Sequence, residues 1–232
     1  MIKKVFFTGL CAASLYLLAA CVKNDPAPVK NTTVNVDVVN ATDEVLNFYV
    51  DGTRQSILTG INPLASNGYV PISAGARTFT FKKLFKTDTF ANVDTLFSLP
   101  LQLALKKDTL STTYRNSIFL GGLTRSIAFV LSDTLQTDAK NAKVRFVTAS
   151  SKMPAFRVFF NDTLVYNSSS FKAVKGFTPY SASVKKVDIR PVNGNNVLYT
   201  TNITVLAGRL YTLFTQDAGA NSPFRAGLIT NQ

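Results

Sequence analysis

Four stretches of this chain recur farther along it in the same order, and each alternates apolar and polar residues with the period of a β-strand. Val34-Asn35-Val36-Asp37-Val38-Val39-Asn40-Ala41-Thr42 returns as Val144-Arg145-Phe146-Val147-Thr148-Ala149-Ser150, with Ala41 on Ala149. Leu46 to Gly52 returns as Phe156 to Asp162, Tyr69 to Gly75 as Phe177 to Ser183, and Arg125 to Asp133 as Arg209 to Asp217. Because successive strand residues point to opposite faces, Val34, Val36 and Val38 share one face while Asn35 and Asp37 take the other. Asp51-Gly52 and Asn161-Asp162 lie between alternating runs, where residues that tolerate positive φ make tight hairpin turns. About seven short strands per copy predict an all-β fold of two tandem antiparallel β-sandwiches. The spacing shortens before the last block, so the first copy holds an insertion near residues 82–116. The first sandwich is expected over residues 33–138 and the second over residues 139–232.

Upstream of the repeats, Lys3 and Lys4 precede an apolar run that ends in Leu18-Ala19-Ala20-Cys21. The run is shorter than the ~20 residues of a spanning helix and reads as a signal peptide over residues 1–20. Its end resembles the lipobox of bacterial lipoproteins, which implies cleavage before Cys21 and lipidation of that thiol. Residues 21–32, with Asp25-Pro26-Ala27-Pro28, are expected to form an extended tether. The chain has 2 Cys, and with Cys11 in the discarded peptide and Cys21 carrying lipid, the sandwiches hold no disulfide and must rest on packed cores.

The second copy resembles the bacterial domain of unknown function 4397 family. The resemblance is carried by Val144 to Ser150 with Pro154, by the hairpin Val158-Phe159-Phe160-Asn161-Asp162, and by Leu206-Ala207-Gly208-Arg209-Leu210-Tyr211-Thr212-Leu213-Phe214. It implies an exported envelope protein, often with tandem copies, an immunoglobulin-like or transthyretin-like sandwich, and no assigned catalytic residue. Ser151-Lys152-Met153-Pro154 replaces the family's acidic turn.

The chain contains 25 Lys and Arg, 13 Asp and Glu, and no His. Residues 140–232 carry 12 of the basic and 3 of the acidic side chains, so the positive charge is concentrated in the second copy. Such a field favours anionic partners, with Lys172, Lys175, Lys185, Lys186 and Arg190 as candidate anion-binding residues for a glycan or lipopolysaccharide. Nucleic acid is not expected, because the chain is exported and shows no recognition helix or aromatic RNA-binding motif.

Without His and with Glu44 as the single glutamate, no Ser-His triad and no imidazole metal site can be assembled. No catalytic residue, metal site or cofactor is therefore expected. Ser151-Lys152 and Ser183-Val184-Lys185 are formal nucleophile pairs, although adjacent strand residues diverge. Asp37, Asp43, Glu44 and Asp51 match no calcium-loop spacing. Asp94-Thr95-Leu96, Asp108-Thr109-Leu110, Asp133-Thr134-Leu135 and Asp162-Thr163-Leu164 repeat one tripeptide. It resembles the O-glycosylation acceptor of exported proteins of the phylum Bacteroidota, which implies glycans on Thr95, Thr109, Thr134 and Thr163. The alternative is a turn residue followed by a β-former and a core leucine.

The expected function is that of a non-catalytic binding or structural lipoprotein, anchored by Cys21 to the outer membrane on its periplasmic or surface side. A pilin-like subunit that assembles by strand donation is the alternative, with Phe224 to Ile229 as the candidate donor. That tail is otherwise expected to complete its own sheet.

Overall fold

The computed structural model describes residues 33–56, 59–84, 94–104, 115–153, 155–217 and 224–231. The segments expected to form a signal peptide and a tether, with Cys21, and Thr109 and Pro154 lie outside the described residues. Thr32–Gln232 forms one compact unit.

Among the described residues there are sixteen strands and one short 3-10 turn at Arg125–Ile127. In the first copy these are β1 (Thr33–Asn40), β2 (Leu46–Val50), β3 (Thr53–Arg54), β4 (Val70–Ser73), β5 (Gly75–Lys83), β6 (Thr95–Leu103), β7 (Arg115–Leu120) and β8 (Ala128–Ser132). The second copy holds β9 (Asn141–Val147), β10 (Phe156–Phe160), β11 (Thr163–Ser168), β12 (Val174–Ser181), β13 (Ser183–Pro191), β14 (Tyr199–Val205), β15 (Leu210–Gln216) and β16 (Arg225–Thr230). Each copy thus has eight strands in two four-stranded sheets, ordered β4-β1-β7-β8 and β3-β2-β5-β6 in the first, β12-β9-β15-β16 and β11-β10-β13-β14 in the second. The identical orders establish the repeat as a structural one.

The expected antiparallel sandwich is present with one departure per copy. β1 pairs β7 in parallel, and β9 pairs β15 in parallel. The chain leaves the first sheet to build the β5–β6 hairpin of the facing sheet, and returns beside its opening strand in the same direction. The registers also correct the matching of the closing block. Asp37 faces Ser117 across the β1–β7 ladder, and Arg145 faces Thr212 across β9–β15. The counterpart of β15 is therefore β7, not the Arg125–Asp133 segment, and β8 corresponds to β16. Alternation marks a strand but not its place in a ladder, so two similar apolar runs were exchangeable.

The two hairpin turns form as expected. Asp51 and Gly52 have φ of 48° and 83°, and Asn161 and Asp162 have 45° and 63°. Positive φ at both central residues is the type I′ conformation, whose twist suits the flanking strands. The tail strand β16 completes its own sheet, pairing with β15 from Tyr211–Thr230 to Gln216–Arg225.

Inside each sandwich the alternating residues make a core. Val34, Val36 and Val38 pack with Phe48, Phe79, Phe81 and Ile118 in the first copy. Val144, Phe146, Phe156, Val158, Val187, Ile189 and Leu213 are part of the core of the second. A third cluster belongs to neither sandwich alone: Val39, Ala41 and Phe119 pack with Val147, Ala149, Phe214 and Ile229. These residues alternate with inward-facing ones, so the outer face of sheet β4-β1-β7-β8 is buried against the outer face of sheet β12-β9-β15-β16. Phe119 meets Phe214 edge to face, with centroids 6.0 Å apart. Close approach here demands glycine: a Cβ at Gly121 would lie 2.5 Å from the Ala149 carbonyl oxygen, and one at Gly227 would lie 2.5 Å from the Phe214 ring.

Candidate functional site

At equivalent places β1 and β9 carry a charged residue, Asp37 between two valines in β1 and Arg145 between Val144 and Phe146 in β9. Val36 and Val38 turn inward, which sends Asp37 to the outer face of its sheet, and Arg145 is sent outward in the same way. On an isolated sandwich both would be solvated. Here the outer faces are pressed together, and Asp37 and Arg145 are 1% and 3% exposed.

A closed ring of polar groups drawn from both copies surrounds Arg145. Its Nη1 donates to Asp133 Oδ1, and its Nε donates to Thr212 Oγ1 at 3.0 Å. Thr212 Oγ1 donates to Asn231 Oδ1 at 2.6 Å, and Asn231 Nδ2 donates to the Tyr69 hydroxyl at 3.4 Å. The Tyr69 hydroxyl closes the ring by donating to Asp133 Oδ2 at 2.8 Å, where Ser117 also donates at 2.6 Å. The Asp133 side chain is fully buried and that of Arg145 is 4% exposed. Breaking one partner of such a pair strands the other charge, which costs far more than the pair contributes against an apolar replacement.

The registers show how this ring arose from the repeat. Asp37, Ser117 and Asp133 in the first copy stand where Arg145, Thr212 and Asn231 stand in the second. One set holds two acids and the other a single base, and the two sets meet at the seam. Asp37 is the member left over: neither of its carboxylate oxygens has a hydrogen-bond partner. Burial pushes its carboxyl up to about 6 and the Asp133 charge adds to the rise; Ser66, the Gly68 amide and Arg145 lie close enough to offset part of it, but without hydrogen-bonding geometry to either oxygen. Burial, followed by the Asp133 charge, also drives the Tyr69 hydroxyl upward, so it remains a donor.

The five candidate anion-binding residues do not converge. Lys186 and Arg190 share the outer face of β13, where both bind Asp188 Oδ2 at 3.0 Å. Arg190 also reaches Asp162 at 2.8 Å and lies 4.4 Å from the Phe159 ring centroid. Burial works to raise the Asp188 carboxyl, but hydrogen bonds from Thr200, Lys186 and Arg190 outweigh it and hold the group at about 2. Lys185 falls on the opposite face of β13 and donates to Ser181 Oγ at 3.1 Å. Lys175 donates to the Val165 carbonyl at 2.6 Å. Lys172, in a left-handed turn with φ of 67°, reaches across to the Ser126 carbonyl at 3.4 Å. Strand alternation and local acids divide what a charge count gathers together.

Thr95, Thr134 and Thr163 are exposed: Thr95 opens β6, Thr134 follows β8, and Thr163 leaves the second type I′ turn. Their preceding aspartates differ, since Asp162 pairs with Arg190 whereas Asp133 anchors the buried ring. Ser151 of the formal Ser-Lys pair donates to Asp217 Oδ2 at 2.7 Å, in a turn that the same carboxylate caps through the Ser151 and Lys152 amides. Glu44 and Asp51 are paired with Lys83 and Arg77. Among the described residues no three His, Cys, Asp or Glu side chains gather as metal ligands.

Tyr69, Asp133, Arg145, Thr212 and Asn231 escaped the sequence reading as a group. The available signal was a charged residue between apolar ones at the same repeat position of both copies, Asp37 and Arg145. A family model described as domain of unknown function (DUF4397) matches residues 34–159 and again residues 142–232. No curated protein matches the chain.

Proposed function

Starting from the fact that this chain belongs to the DUF4397 family, we propose that it is a lipid-anchored, non-catalytic module of the bacterial cell envelope that presents two fused sandwiches to an anionic partner. The observation that supports this most is the seam: Val39, Phe119, Val147 and Phe214, with the Asp133–Arg145 pair, hold the two copies in one compact body. A compact body that follows a proline-punctuated segment in the sequence suits a presenting or spacing role. The lipobox-like Leu18-Ala19-Ala20-Cys21 supplies the outer-membrane anchor, and several acyl chains give durable attachment. The excess of basic over acidic residues in 140–232 supplies the preference for acidic glycan or lipopolysaccharide.

Two measurements test the reading. The wild-type protein is expected in the membrane fraction with a lipid-modified Cys21 as its first residue, and Cys21→Ala is expected in the soluble fraction. A Cys21→Ala protein that stays with membranes, or a mature N-terminus elsewhere, overturns the anchor. Residues 22–232 are expected to bind immobilised heparin at low salt and to elute as salt rises; absence of retention at low salt overturns the anionic partner.

A further inference from the structure

We propose that a cleft at the seam of the two copies binds a sugar bearing a carboxylate, with Arg145 and Lys143 taking the carboxylate and Phe177 carrying the sugar face. The site deepens the envelope-module reading above and rests on it for its exported setting.

The cleft has a volume of about 370 Å³ and is lined by Ser132 and Thr134 from the first copy and by Lys143, Arg145, Gly176 and Phe177 from the second, among others. Its size is at the lower end of small-ligand sites, which suits one sugar unit. Four observations point to an occupant. Arg145 Nη2 is buried and has no hydrogen-bond partner, although Nη1 and Nε of the same guanidinium are paired. A buried donor left unpaired is costly, and a ligand oxygen would satisfy it. The β9–β12 ladder breaks between Lys175 and Thr178, so Gly176 and Phe177 together oppose Arg145. Such bulges re-aim side chains next to functional sites, and this one sets Phe177 against the guanidinium at 4.9 Å. A Cβ at Gly176 would meet nothing within 4 Å, so the backbone there faces open space.

The repeat sharpens the point. Tyr69 in the first copy occupies the place of Phe177 in the second, since Val70 faces Val36 and Thr178 faces Val144. The Tyr69 hydroxyl bonds within the ring, whereas Phe177 has no hydroxyl to offer Arg145. At that position Arg145 therefore finds a ring face but no oxygen, and its Nη2 stays without a partner.

The lining sets the chemistry of that oxygen. Lys143 and Arg145 are two apart on β9 and share a face, and no acidic residue lines the cleft. Asp133 follows Ser132, but its carboxylate is buried in the ring. Arg145 is already neutralised by Asp133, so Lys143 supplies the charge that favours a carboxylate over a neutral acceptor, and Arg145 Nη2 supplies a further donor. The aromatic ring, the glycine-flat wall and the hydroxyls of Ser132 and Thr134 complement a sugar ring, which has one apolar face and an edge of hydroxyls.

The test is titration of residues 22–232 with sodium glucuronate, followed by amide and arginine side-chain NMR. Glucuronate is expected to shift the Gly176 and Phe177 amides and the Arg145 Nε–H, and glucose and acetate are each expected to bind about tenfold more weakly or less. Gly176→Leu fills the cleft without touching the ring and is expected to weaken glucuronate by about tenfold or more at unchanged Tm. Lys143→Gln, at a partly exposed position, is expected to weaken it as well, and serves if Gly176→Leu fails to fold. Absence of shifts with glucuronate, equal binding of glucose, or undiminished binding in the folded variants overturns the site. Heparin retention that persists alongside any of these results leaves the envelope reading intact while removing this cleft from it.

Discussion

Asp37 is a residue that works against its own fold at neutral pH. Its folded-state pKa of about 6 lies above the ordinary 3.8, so the folded state holds the proton more tightly than the unfolded one. The stabilisation from protonated Asp37 is fully present below the unfolded value and is lost as pH rises through 6. At pH 7 the carboxylate is ionised in both states, and the fold bears the cost of burying it beside Asp133. Asp37→Asn keeps the shape, removes the charge and adds a donor that can face Asp133. It is expected to raise stability at pH 7 by at most about 3 kcal/mol, a Tm rise of several degrees, with the gain shrinking toward pH 4. Thermal melts of the two proteins across pH 4–8 check this. Other titrating groups, including Asp188, whose contribution is lost as pH falls toward 2, are common to both proteins and cancel in the difference. A gain that is equal at pH 4 and pH 7 would show that the effect is not electrostatic.

At the scale of elements, the hairpins were the most legible part of the chain, because their turn chemistry is local. Asp51-Gly52 and Asn161-Asp162 adopt positive φ at both positions, and in that conformation a second-position glycine is preferred. The two turns therefore predict opposite outcomes. Asp162→Gly relieves a non-glycine residue at φ of 63° and is expected to stabilise by about 0.5–1 kcal/mol, while Gly52→Ala is expected to destabilise by about 1 kcal/mol. Urea titrations of the two variants give both values, and the exposed Asp162–Arg190 pair is too weak to reverse the sign. The ladder order was less legible. β7 and β8 both read as short apolar alternating runs, and only the parallel pairing of β7 with β1 identifies which of them matches β15. Likewise the insertion was visible as a change in spacing, but the strand limits divide it between the β5–β6 and β6–β7 connections, each longer than its counterpart in the second copy. Long-range pairing leaves no local trace, so a sequence period cannot place it.

For the molecule as a whole, the repeat announced two sandwiches but not that they are fused through their outer faces. The trace was present as apolar doublets: Val38-Val39, Phe146-Val147, Ile118-Phe119 and Leu213-Phe214 break the alternation of a half-solvated strand. Consecutive apolar residues signal a strand buried on both sides, which in an antiparallel-rich sandwich means that something covers its second face. Within that cover the charged residues Asp37 and Arg145 looked like solvent-facing positions. Their burial follows only when the two copies are brought together. This fusion governs stability. Separating the copies exposes Phe119, Phe214, Val39 and Val147 and strands Asp133 and Arg145 without partners, so neither half is expected to persist once the other unfolds. Residues 22–232 are accordingly expected to melt in one calorimetric transition whose van't Hoff and calorimetric enthalpies agree. Residues 139–232 alone are expected to bind a dye for exposed apolar surface and to melt well below the full chain. Two resolved transitions, or an isolated second copy as stable as the whole, would mean that the seam is a contact between independent domains. The Asp133–Arg145 pair would then hold orientation without holding the fold.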